Sequence, residues 1–64
     1  MKLDASCLNM KFHYYNAWAA MPGWAAGTFI ETIGHPTCGG IRYVFRSADG
    51  SLVAIRPEHV MQEI

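Results

Sequence analysis

Sixty-four residues make one domain at most, and a domain this short buries only about 60% of the surface its unfolded chain exposes. Five Lys and Arg balance five Asp and Glu, so there is no long-range field to gather phosphate backbones, which argues against general nucleic-acid binding. Apolar residues make up 52% of the chain, and the apolar patch that such a small fold leaves uncovered is expected to be an interface, with further copies of the chain or with a protein or peptide partner.

The opening MKLDASCLNMKF has Asp4, Asn9 and Lys11 interrupting any apolar core and resembles neither a signal peptide nor a transit sequence. No apolar run approaches the roughly 20 residues that span a bilayer. The expected setting is the cytoplasm, without a membrane partner. Cys7 and Cys38 are left free or paired, because one bridge without an export signal is weak ground for an oxidising compartment.

In chain order, residues 1–7 carry no period and read as a frayed lead-in to a single domain spanning residues 1–64. From Leu8 the alternation is clean, with Leu8, Met10, Phe12 and Tyr14 on one face and Asn9, Lys11, His13 and Tyr15 on the other, which predicts a first strand. Ala17, Ala19 and Ala20 before Pro22-Gly23 favour a helix over residues 14–21, but eight residues are too few for an isolated helix. The stretch is read as a long loop with Trp18 and Trp24 near its ends, helix remaining the alternative. Residues 24–33 predict a second strand, with Gly27 as a bulge or sharp bend and with Phe29, Glu31 and Ile33 sharing a face. Three glycines and a proline make residues 34–40 a loop.

The third strand, residues 41–47, alternates Ile41, Tyr43 and Phe45 with Arg42, Val44 and Arg46. Asp49-Gly50 predicts a tight hairpin with a primed turn, and Val53 and Ile55 then mark the inward face of a fourth strand. Pro57 ends it and suits the first position of a single helical turn through Glu58 and His59. Residues 60–64 form the last strand. No internal repeat or linker interrupts the chain.

Five short strands with a turn before the last are the arrangement of an all-β, SH3-like small five-stranded barrel. The second half also resembles a known family. Trp24 with Gly27, then Tyr43-Val44-Phe45-Arg46-Ser47, Gly50-Ser51-Leu52-Val53-Ala54-Ile55-Arg56-Pro57 and Met61-Gln62-Glu63-Ile64 look like the plasmid-borne, trimethoprim-insensitive (type II) dihydrofolate reductases. That resemblance implies an SH3-like barrel in a homotetramer around one pore, which would bind a nicotinamide cofactor and a folate, with Ile55 and Arg56 near the ligand. The family's pore strand reads Val-Gln-Ile-Tyr-Pro, however, where this chain has Val53-Ala54-Ile55-Arg56-Pro57. Ala54 has no amide to offer a ligand, and Arg56 would ring such a pore with positive charge. Only Ile55 carries over, and reductase activity is not expected.

The residues themselves call for no cofactor, catalytic group or metal. His35 and Cys38, three apart before Gly39-Gly40, have the makings of a nucleophile and an oxyanion hole, but no Asp or Asn orients the imidazole, and a packed loop cysteine is the simpler reading. Cys7, His13, His35 and Cys38 are four possible zinc ligands at a spacing no common finger uses. The loop at residues 34–40 lacks the Lys and the following helix of a phosphate cradle. His59 reads as a solvated or capping residue. Arg42, Arg46 and Arg56 offer a basic spot for a carboxylate or phosphate, and with stacking rings this keeps weak RNA binding as a further alternative.

The aromatic residues carry more. SH3-like barrels bind proline-rich peptides or methylated lysines on rings beside their loops. Tyr43 and Trp24 lean towards the core, which leaves Tyr15 and Trp18 as the better interface residues. The reading is therefore a non-enzymatic, self-associating interaction module, with Tyr15, Trp18, Trp24, Ile55 and Arg56 as candidate binding residues.

Overall fold

The computed structural model describes residues 2–17, 23–35, 37 and 39–64. The chain is all-β. Strands β1 (Lys11–Asn16), β2 (Gly23–His35), β3 (Gly40–Ser47), β4 (Leu52–Ile55) and β5 (Val60–Glu63) form one antiparallel sheet in the order β4-β3-β2-β1-β5. The sheet curls on itself, so that β1 touches β4 although two strands separate them. As expected, Pro57 opens a short 3-10 turn, Pro57–His59, immediately before the last strand. The stretch left open between helix and loop is strand through Asn16 and turn at Ala17, while residues 18–21, Trp18 among them, lie outside the described residues.

The period of two places the core. Phe12 and Tyr14 of β1, Phe29 of β2, Tyr43 and Phe45 of β3, Ile55 of β4 and Val60 of β5 converge on the concave face. Phe45, fully buried, is the hub. Its ring lies 4.7 Å from Tyr14, stacked, 5.8 Å from Phe29 and 6.1 Å from Phe12, edge-on. Such offset and edge-to-face pairs add about 0.5–1.5 kcal/mol each beyond the area they bury.

The lead-in is docked rather than frayed. Leu3 is 6% exposed within the same core, and its N–H donates to the Tyr43 hydroxyl at 3.0 Å. A 3-10 turn, Ala5–Cys7, follows, capped by the Asp4 carboxylate, which accepts from the Ser6 N–H. Asn9, with a positive φ of 68°, then redirects the chain into β1. This break is why Leu8, expected on the inward face, is exposed.

Two further expectations are corrected. The register break in β2 lies at Ile30, not at Gly27: Phe29 faces Phe45 and Glu31 faces Val44, leaving one residue extra between them. The extra residue reverses the alternation, so Glu31 and Ile33 leave the face of Phe29, and Ile33 is 41% exposed beside Arg42. Gly27 instead keeps regular pairs on both sides, with Phe12 and with Ser47. Its bare α-carbon is needed because a Cβ there would sit 2.9 Å from the Arg46 carbonyl oxygen and 3.0 Å from the Tyr14 hydroxyl.

The β3–β4 hairpin forms where Asp49-Gly50 places it, but not on a primed two-residue turn. Only Gly50 has positive φ. The Gly50 N–H donates to the Ser47 carbonyl and the Ser47 N–H to the Ser51 carbonyl, both at 2.9 Å, the pattern of a three-residue loop closed by a left-handed glycine. Asp49 Oδ1 accepts from the Ser47 hydroxyl, the Ser51 N–H and the Ser51 hydroxyl. These bonds hold its pKa down at about 2.

Two predictions follow from these contacts. Gly27→Ala is expected to cost about 1–3 kcal/mol, the range of overpacking, read as a lower urea midpoint at unchanged slope. Asp49 titrates below its ordinary value of 3.8, so its stabilisation is fully present above that pH and lost as pH falls through the folded-state value. The thermal midpoint of the parent chain should therefore drop between about pH 4 and 2, with a smaller drop in Asp49→Ala.

Candidate functional site

Because Tyr14 points inward, its neighbour Tyr15 points out, opposite Trp24 on β2. The two rings meet edge-to-face at 5.7 Å and 76°. On its other side Tyr15 meets the His59 ring at 5.8 Å and 75°. The three rings form one row, Trp24–Tyr15–His59, across the convex face. His59 is brought there by the second 3-10 turn, whose first position is Pro57 and whose closing bond runs from the His59 N–H to the Arg56 carbonyl at 2.9 Å.

Trp24, expected to lean towards the core, is 62% exposed. The reason is register: pairing with Tyr15 puts it on the outward face. Tyr43 is buried as expected. Ile55 is also a core residue, 2% exposed, so its side chain presents no surface to a ligand, and it drops out of the binding set. Arg56 is exposed at the head of the Pro57–His59 turn, with its guanidinium 4.0 Å from the Glu58 carboxylate. Ala54 lies on the convex face opposite Val44 and offers no hydrogen-bonding group, so neither it nor Arg56 reproduces the amide and phenol of a reductase pore. Of the five candidates, the structure brings Tyr15 and Trp24 into contact and sets Arg56 at the other end of the turn carrying His59.

The remaining clusters separate. His35 Nδ1 is engaged by Thr37, through its N–H at 3.2 Å and its hydroxyl at 2.8 Å. Cys7 is a free thiol that donates to Asp4 at 3.7 Å. Among the described residues no three of His, Cys, Asp and Glu converge on a point, and Cys38 lies outside them. Arg42 donates to the Gly39 and Ile41 carbonyls at 3.2 and 3.0 Å, so the three arginines do not pool their charge. No helix among the described residues is long and apolar enough to cross a membrane. No protein-family model, curated protein or solved structure matches the chain.

His59 was not distinguished by sequence as a member of the site. The available signal was Pro57, which fixes the start of the turn and hence the side on which its third residue emerges.

A double-mutant cycle on Tyr15→Leu and Trp24→Leu should return a coupling of about 0.5–1.5 kcal/mol in urea unfolding. A coupling near zero would mean that the two rings are not packed in solution.

Proposed function

We propose that this chain is a non-enzymatic interaction module with an SH3-like architecture, which associates with itself and holds a protein or peptide segment on the Trp24–Tyr15–His59 row. The observation that carries this reading is the exposed Trp24 ring, braced edge-on by Tyr15. Tryptophan and tyrosine are enriched at interfaces and among the residues that dominate binding energy. A ring already fixed by its neighbour loses little conformational entropy when a partner covers it. Five strands with a 3-10 turn before the last support the SH3-like reading of the architecture. Self-association is supported by Leu52 and Met61, exposed on or beside the two outer strands of the sheet, since open strand edges are templates for pairing.

The test is selection of a displayed peptide library on the immobilised chain, with light scattering over a range of concentrations in parallel. The expected result is a set of peptides whose binding falls at least about tenfold in Trp24→Ala, the scale of a hot-spot residue, and is unchanged in Leu52→Ser. The expected mass rises above the 7.1 kDa of one chain as concentration increases. Peptides indifferent to Trp24→Ala would overturn the binding surface, and a constant single-chain mass would overturn self-association.

A further inference from the structure

A second feature of the convex face lies at the far end of β1 from Tyr15. Lys11 pairs with Thr28, and Thr28 with Arg46. These three residues alternate with the inward-facing Phe12, Phe29 and Phe45, so their side chains share the outward face. With neighbouring strands about 4.8 Å apart, the α-carbons of Lys11 and Arg46 are separated by about 10 Å, with the Thr28 hydroxyl between them. They line one concavity of about 380 Å³, which Ala26, Ser47 and Ile64 help to enclose.

The charge there is one-sided. No Asp or Glu lines the concavity. The nearest along the chain are Glu63, which precedes Ile64 and pairs with Phe12 on β1, and Asp49, whose Oδ1 is occupied by two hydroxyls and an N–H of its own hairpin. The other arginines are committed elsewhere, Arg42 to backbone carbonyls and Arg56 beside Glu58. Among the described residues, Arg46 and Lys11 have no ion-pair partner for their side chains. In a chain with no net charge, the fold has thus gathered two cations and a hydroxyl around a hollow, with no ion pair to either cation among the described residues.

We propose that this concavity is an oxyanion site, taking a phosphate or carboxylate group between the Lys11 ammonium and the Arg46 guanidinium, with the Thr28 hydroxyl as a third donor. The guanidinium supplies a planar fork that matches either oxyanion, and the ammonium a movable point charge. The site is independent of the ring row, and its test does not involve Trp24.

The probes are inorganic phosphate and, separately, acetate, titrated at constant ionic strength into the isotope-labelled full chain while the amide resonances of Thr28 and Ser47 are followed. Saturable shifts confined to this end of the sheet are expected. Arg46→Gln and Lys11→Gln should each weaken the saturating anion about fivefold to tenfold, and Lys2→Gln, which removes the same charge from an exposed position elsewhere, should leave it unchanged. Saturation by phosphate alone would support a phosphate site, by acetate alone a carboxylate site, and by both a general oxyanion site. Shifts that never saturate, or that weaken equally in Lys2→Gln, would overturn the proposal.

Discussion

The packing of Phe45 against rings from two other strands is the constraint on which the rest of this small fold depends. A chain of this length has few residues to spend on a core, and here most of the buried volume is aromatic. Tyr14, Phe29 and Phe12 reach Phe45 from β1 and β2, which is possible only because the sheet curls. Gly27 sits where that curl brings backbone and rings closest, with Phe45 Cβ 3.2 Å from where a Cβ would be. Gly27 and the neighbouring Thr28 are also the positions at which β2 is paired on both sides, with β1 and with β3. Core packing and strand exchange therefore meet at the same point. The docked Leu3 adds to the same core from outside the sheet, through one apolar side chain and one hydrogen bond to Tyr43.

Much of this was legible as periodicity. In β1, β3 and β4 the inward set, Phe12, Tyr14, Tyr43, Phe45, Val53 and Ile55, follows from alternation alone, because the extra residues at the register shifts lie on the partner strands β2 and β5. The reading failed where regularity failed. At Ile30 a single added residue inverts the two faces, and no glycine or proline marks the spot, so Ile33 was assigned to the wrong side. Gly27 drew the bulge because glycine in a strand signals either a bulge or a close approach, and composition does not distinguish these. Leu3 was missed because one apolar residue in an aperiodic segment has no pattern to betray it.

The candidate site divides in the same way. Tyr15 stood on the outward face by alternation alone, whereas the outward placement of Trp24 follows from its pairing with Tyr15, a long-range property. Size suggested that Trp24 belonged inside; the pairing with Tyr15 overrules size. Ile55 entered the binding set through resemblance to a family whose pore strand it matches, whereas its own strand period makes it a core residue. Here alternation was the better guide. His59 joined the site through tertiary placement of a turn, although the turn itself was readable from Pro57.

The division between faces gives the convex surface its interest. Inward-facing rings are accounted for by packing, since each would otherwise expose apolar area to water. Outward features have no such account. Tyr15 and Trp24 are side by side without contributing to the core cluster, and Lys11 and Arg46 flank Thr28 along the same face with no Asp or Glu lining the concavity between them. The two rings attract one another edge to face, whereas the two cations repel, so the clustering of Lys11 and Arg46 is a property of the strand register and not of mutual attraction. A register imposed by Phe45 and its neighbours thus sets which outward residues stand together. The core determines the geometry of the surface, and it sets the two outward clusters at opposite ends of β1, with Tyr15 in one and Lys11 in the other.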